Sequence, residues 1–234
     1  SPGTVGVSGT QSIGGLTFNT TGYSLTGGTL NLAGTTNTVT GAPGGSQTIG
    51  TVLSGSASNA LVFDGTGTTT TLTLEPSVFG SVTVNNGTLK MQPTVAGGPR
   101  GLNWSKIDNR ASFVYNATNA NAHLYVEGSI TGAGSWTFDN GTNREDAWAR
   151  RMMWRPQTGQ TVDTSGPITI TNLGHLDLEM VGDTINSTSS LTLNGTSTRV
   201  FLWGTVVGTA TVGGLFGSGV VDLREPTSST PQTL

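Results

Sequence analysis

The amino-acid sequence predicts an all-β solenoid, a chain wound into stacked coils of short strands, and three observations carry that reading. Gly (36) and Pro (9) punctuate the 234 residues well above the roughly 12% average for the pair, so the chain is rich in turns. Charged residues make up 10%, where about 25% is usual, and threonine is abundant; this composition has poor helix propensity and leaves hydroxyl and amide groups to form the surface. Short alternating apolar and polar segments recur along the whole length.

Taken in order, Leu16-Thr17-Phe18, Tyr23-Ser24-Leu25 and Leu30-Asn31-Leu32 each put two apolar side chains on one face and a small polar one on the other, the period of a half-buried strand. The same pattern returns at Leu61-Val62-Phe63, Leu72-Thr73-Leu74, Val82-Thr83-Val84 and Leu89-Lys90-Met91. It continues at Phe113-Val114-Tyr115, Leu124-Tyr125-Val126, Trp136-Thr137-Phe138 and Ile168-Thr169-Ile170, then at Leu176-Asp177-Leu178, Leu191-Thr192-Leu193 and Val220 to Leu223. Phrases repeat too: Gly28-Thr29-Leu30-Asn31-Leu32 is echoed by Gly87-Thr88-Leu89-Lys90-Met91. Strands this short, separated by Gly and Asn corners, suit coils in which each strand stacks on its counterpart in the next. With 33% hydrophobic residues the core is thin, which favours one elongated domain over residues 1–234. Asn86-Gly87, Asn140-Gly141 and Asn194-Gly195 tolerate positive φ at corners, but they are also hairpin signals, so a β-sandwich stands as the alternative.

The stretch from Ile13 to Gly41, IGGLTFNTTGYSLTGGTLNLAGTTNTVTG, resembles the autotransporter-associated β-strand repeat of bacterial surface and secreted passenger proteins. The phrases at Ile49–Gly55 and Val212–Leu223 are similar to others in such passengers. The resemblance covers roughly the first 90 residues and the region after about 165, and it implies a right-handed parallel β-helix, secretion or surface display, and a fragment of a larger protein. The repeat itself implies no activity.

Composition narrows the function classes. The absence of Cys removes disulfides and thiolate metal sites, and no apolar run reaches the length of a membrane span. Ten basic residues against thirteen acidic ones, spread along the chain, give no nucleic-acid footprint. His123 and His175 are the two histidines, and no metal, phosphate or nucleophile motif surrounds them, so neither cofactor nor metal is expected.

Two segments depart from the repeat. Residues 143–156, NREDAWARRMMWRP, hold half of the arginines and two of the five tryptophans. Acids near the start, arginines near the end and Pro156 beyond read as a short helical or loop insert. As a recognition patch it would offer Trp148 and Trp154 as faces for sugar rings and Arg150, Arg151 and Arg155 as forks for carboxylates. The competing reading packs Met152, Met153 and Trp154 onto the solenoid, and the usual burial of large apolar side chains favours it. In residues 100–115, Lys106, Asp108 and Arg110 alternate, which in an extended strand sets them on one face beside Trp104.

The function expected is binding or adhesion at a polysaccharide or host-cell surface, in an extracellular or outer-surface location. Trp148, Arg150, Arg151, Trp154 and Arg155 are its contact residues, with Trp104, Lys106 and Arg110 as a second patch. Open coil ends would also favour self-association. The alternatives are a polysaccharide-active enzyme using Lys106, Asp108 and Arg110 or the acids Asp177 and Glu179, and a non-binding spacer. Thr-x-Thr pairs at Thr36/Thr38, Thr69/Thr71, Thr169/Thr171, Thr196/Thr198 and Thr209/Thr211 raise ice binding, but their irregular intervals argue against a regular array.

Overall fold

A computed structural model describes residues 2–76, 79–94, 97–102, 104–116, 122–139, 152–157, 159–172, 175–180, 185–186, 188–196, 198–204 and 210–222. Among them there is no helix, and the strands wind into a parallel β-solenoid. Every strand pairing among these residues is parallel, which removes the sandwich alternative, since hairpins pair antiparallel.

Each coil presents three faces. In the middle of the chain one coil reads Lys106–Asn109 on the first face, Ser112–Asn116 on the second and Ala122–Val126 on the third. The next coil repeats the order with Ser129–Gly132, Ser135–Asp139 and Met152–Trp154. From Gly97–Leu102 onward the third face forms a six-stranded sheet of its own, whereas in the early coils long strands such as Ser24–Leu32 bend across a corner and join the second face to the third.

Register turns sequence alternation into core columns. On the second face Leu25, Ile49, Leu72, Met91, Tyr115, Phe138, Ile170 and Leu193 stack rung upon rung, all buried. On the first face Leu61, Val82, Ile107, Ile130 and Val162 do the same. Burying each such side chain contributes about 1.5–3 kcal/mol, so a core one side chain wide suffices when it runs the length of the stack. Near the start the interior is partly polar, and there Gln47 Nε2 donates to Thr70 Oγ1 of the next rung. Toward the middle it becomes aromatic. Trp136 lies 4.9 Å from Phe113 and 5.2 Å from Trp154, and Trp154 meets Phe138 edge-on at 5.8 Å.

Corners depend on asparagine and glycine. Asn109, fully buried, donates from Nδ2 to the Ser135 carbonyl and accepts from the Ala111 amide, tying one coil to the next. Gly132 sits above it at φ +109, so close that a Cβ would lie 2.1 Å from the Asn109 carbonyl oxygen. The outermost described coils expose apolar side chains, Val5 at one end and Leu215 and Phe216 at the other.

Candidate functional site

The residue spacing between rungs shows where the coil is interrupted. Phe113 to Trp136 is a step of 23 residues, but Trp136 to Ile168, the next rung of the same column, takes 32. The excess falls on both sides of Met152–Trp154. From Val126 to Ile130 the chain turns in four residues, while from Trp154 to Val162, their register partners, it takes eight. Insertions placed in corners leave the ladder intact, because backbone pairing is needed on the faces and not between them.

This lengthened corner, residues 155–161, builds a groove where the third face turns into the first. Leu102, Trp104 and Ser105 line it from one coil, Glu127 and Gly128 from the next, and Gln157 and Gln160 from the long corner, around a volume of about 230 Å³. The wall is held by backbone: the Arg155 amide donates to the Val126 carbonyl at 2.9 Å, Gln157 to Glu127 at 2.9 Å, and Gln160 back to Gln157 at 2.8 Å. Ser129 pins the far end, its hydroxyl donating to Gln160 Oε1 at 2.6 Å and accepting from the Thr161 amide at 3.2 Å. That bond fixes which way the Gln160 amide points, so its NH₂ group is the end left for a ligand. Trp104 forms part of the wall at 2% exposure, and its indole N–H has no acceptor, a buried unmet donor of the kind that costs about 1–3 kcal/mol.

The predicted contact residues divide sharply. Trp154 is a correction: it is fully buried on a strand, in register with Val126 and between Trp136 and Phe138, and it presents no face to a ligand. Of the helical or loop insert expected over residues 143–156, the end is corrected, since Met152–Trp154 is a strand and Pro156 is buried beside it, while residues 143–151 lie outside the described residues. Trp104 is likewise a core residue, bridged to Phe79. Its alternation with Lys106 fails because the chain turns at Ser105, so Trp104 points inward while Lys106 is exposed. Arg155 is exposed, next to the groove. Trp148, Arg150 and Arg151 lie outside the described residues.

Lys106, Asp108 and Arg110 do share the outer side of the first face, but as a local ladder. Arg110 Nε and a terminal nitrogen both contact Asp108 Oδ2, at 2.8 and 2.7 Å, and Thr131 Oγ1 donates to Oδ1 at 3.4 Å. The Arg110 side chain is 59% exposed, where such pairs contribute little. Arg110→Ala should therefore change unfolding free energy by no more than about 0.5–1 kcal/mol in urea denaturation. Asp177 and Glu179 share the strand His175–Met180, and His123 lies on Ala122–Val126; their side chains are outside the described set. Among the described residues no three His, Cys, Asp or Glu gather as a metal site.

Sequence reasoning missed the outer second face. Thr36 and Thr38 lie on the first face and Thr69, Thr71 and Thr169 on the second, so these Thr-x-Thr pairs do not form one array. Register instead aligns mixed hydroxyls from uneven sequence intervals: Ser46, Thr69, Thr88, Ser112 and Ser135 form one outward column. Thr48 and Thr71, then Thr137, Thr169 and Thr192, form a second, interrupted between them by Lys90 and Val114. The signal was present as alternation, but its alignment depends on coil lengths that only pairing reveals. Comparison with family models gives no match, and neither do the comparisons with curated proteins and with solved structures.

Proposed function

We propose that this chain is an extracellular binding module, of the kind its repeats resemble in bacterial passenger proteins, which lies along a polysaccharide-coated surface. The observation that carries the reading is the outer second face. Its stacked Ser and Thr columns place hydroxyls at the strand spacing of about 4.8 Å, and Lys90 and Asp139 are the charged residues among its described outward positions. A sparsely charged surface with hydroxyls on successive rungs from Ser46 to Thr192 forms many weak hydrogen bonds with a hydroxylated polymer, and their number rather than any single contact gives avidity. The β-branched threonines lose little side-chain freedom on contact, which keeps such an interface rigid.

The test is retention of the purified chain on insoluble and immobilised polysaccharides, beside the variant Thr137→Glu/Thr169→Glu/Thr192→Glu. The parent should be retained and the variant should elute with the unbound fraction at an unchanged far-UV CD spectrum. A parent that binds no polysaccharide, or a variant retained equally, refutes the reading.

A further inference from the structure

We infer that the groove at the corner of the third and first faces is a discrete pocket for a short neutral saccharide, an inference that rests on the proposal of a polysaccharide-binding module but assigns it a second, separate site. The groove exists because of the four extra residues between Trp154 and Val162; the coil before, which turns from Val126 to Ile130 without them, supplies Glu127 and Gly128. An insertion that breaks no pairing, yet brings polar side chains over a hollow, is where a regular solenoid acquires specificity.

The lining sets the ligand's chemistry. Gln160 offers an NH₂ donor, because its carbonyl is taken by Ser129. Gln157 offers both a donor and acceptors, Ser105 a hydroxyl and Glu127 carboxylate acceptors, and none of these side chains has a hydrogen-bond partner within the described residues. Donors and acceptors mixed at short range match vicinal hydroxyls, each of which gives one hydrogen bond and takes others. Glu127 carries the one formal charge on the lining itself, and its carboxylate disfavours an acidic group seated against it, while the exposed Arg155 lies beside the groove and not among the lining residues. A volume near 230 Å³ is about the size of one sugar ring, so the open groove seats a single unit of the polymer above the buried Trp104 and Leu102, which close it beneath.

The experiment is saturation-transfer NMR on the full chain with neutral di- and trisaccharides of gluco, galacto and manno configuration and the matching uronic acid oligosaccharides. The parent should show transfer to at least one neutral sugar and none to the acids. Gln157→Ala/Gln160→Ala should lose it with unchanged CD, and Glu127→Gln should keep neutral binding while admitting the uronic acids. The Thr137/Thr169/Thr192 glutamate variant should retain the oligosaccharide signal, which separates the pocket from the face. Equal transfer in parent and double alanine variant, preference for the acids, or no signal from a chain that is nonetheless retained on polysaccharide would each overturn the pocket and leave the broader reading standing. A parent silent toward oligosaccharides and polysaccharides alike would sink both.

Discussion

Trp154→Ala should destabilise the chain by about 3–5 kcal/mol, measured as the shift in urea unfolding followed by near-UV CD. The side chain has 0% exposure and lies edge-on to both Trp136 and Phe138, so truncation opens a cavity at the junction of the second and third faces and removes two aromatic pairs worth about 0.5–1.5 kcal/mol each. Against a total stability of about 5–15 kcal/mol that loss unfolds a large part of the population at modest denaturant. Trp154→Phe is the informative companion. It keeps a ring in the stack and deletes an indole N–H that has no acceptor, so its cost should stay near 1–2 kcal/mol. A tryptophan serving as an exposed sugar platform would give the opposite pattern: both substitutions within about 0.5 kcal/mol of the parent and a loss confined to binding.

Gly132→Ala should cost about 3 kcal/mol or more, an unusually large effect for adding one methyl group. Its φ of +109 is a conformation that side chains rarely adopt, and the added Cβ would fall 2.1 Å from the Asn109 carbonyl oxygen and 2.6 Å from its carbonyl carbon. Both are backbone atoms of the coil beneath, and the Asn109 carbonyl also accepts from the Gly134 amide, so neither can give way without breaking the corner. Gly159, on the long corner, isolates the conformational part of this cost. It has φ +83 with nothing within 4 Å of the added atom, and Gly159→Ala should therefore cost only about 1–2 kcal/mol. Midpoints from the same urea titrations compare the two, and equal effects would show that the coils are less closely stacked than described.

The fold was legible because its periodic signal is local. Most buried rung residues of the second face, among them Leu25, Leu72, Met91, Ile170 and Leu193, sit in alternating segments that the sequence displays, whereas Ile49, Ile107, Ile130 and Val162 do not, and Asn and Gly mark corners such as that at Gly87. What alternation does not carry is the point where a strand ends. Trp104 and Lys106 are two apart, as strand neighbours on one face would be, but a corner at Ser105 reverses their sense. Residues 152–154 were hidden for a different reason. Their arginine-rich flank has the charge order of a short helix, while the strand itself is specified by pairing with Val126 on one side and Leu178 on the other, partners 28 and 24 residues away. The groove was least visible of all, since Ser105, Glu127 and Gln160 come from three coils and carry no motif.

The coil ladder passes unbroken across the long interval between Trp136 and Ile168, its excess residues falling between the paired strands in sequence. The chain has no cysteine, so pairs can be introduced cleanly. Thr137 and Thr169 are register partners, and parallel neighbours about 4.8 Å apart fall within the Cα range of roughly 4.4–6.8 Å that a disulfide accepts. Oxidation of Thr137→Cys/Thr169→Cys should give a cross-link within the monomer, seen as a mobility shift on non-reducing gels. Val114→Cys/Thr169→Cys, two rungs apart, should give none. A cross-link in the second pair with none in the first would contradict the ladder and, with it, the placement of the groove.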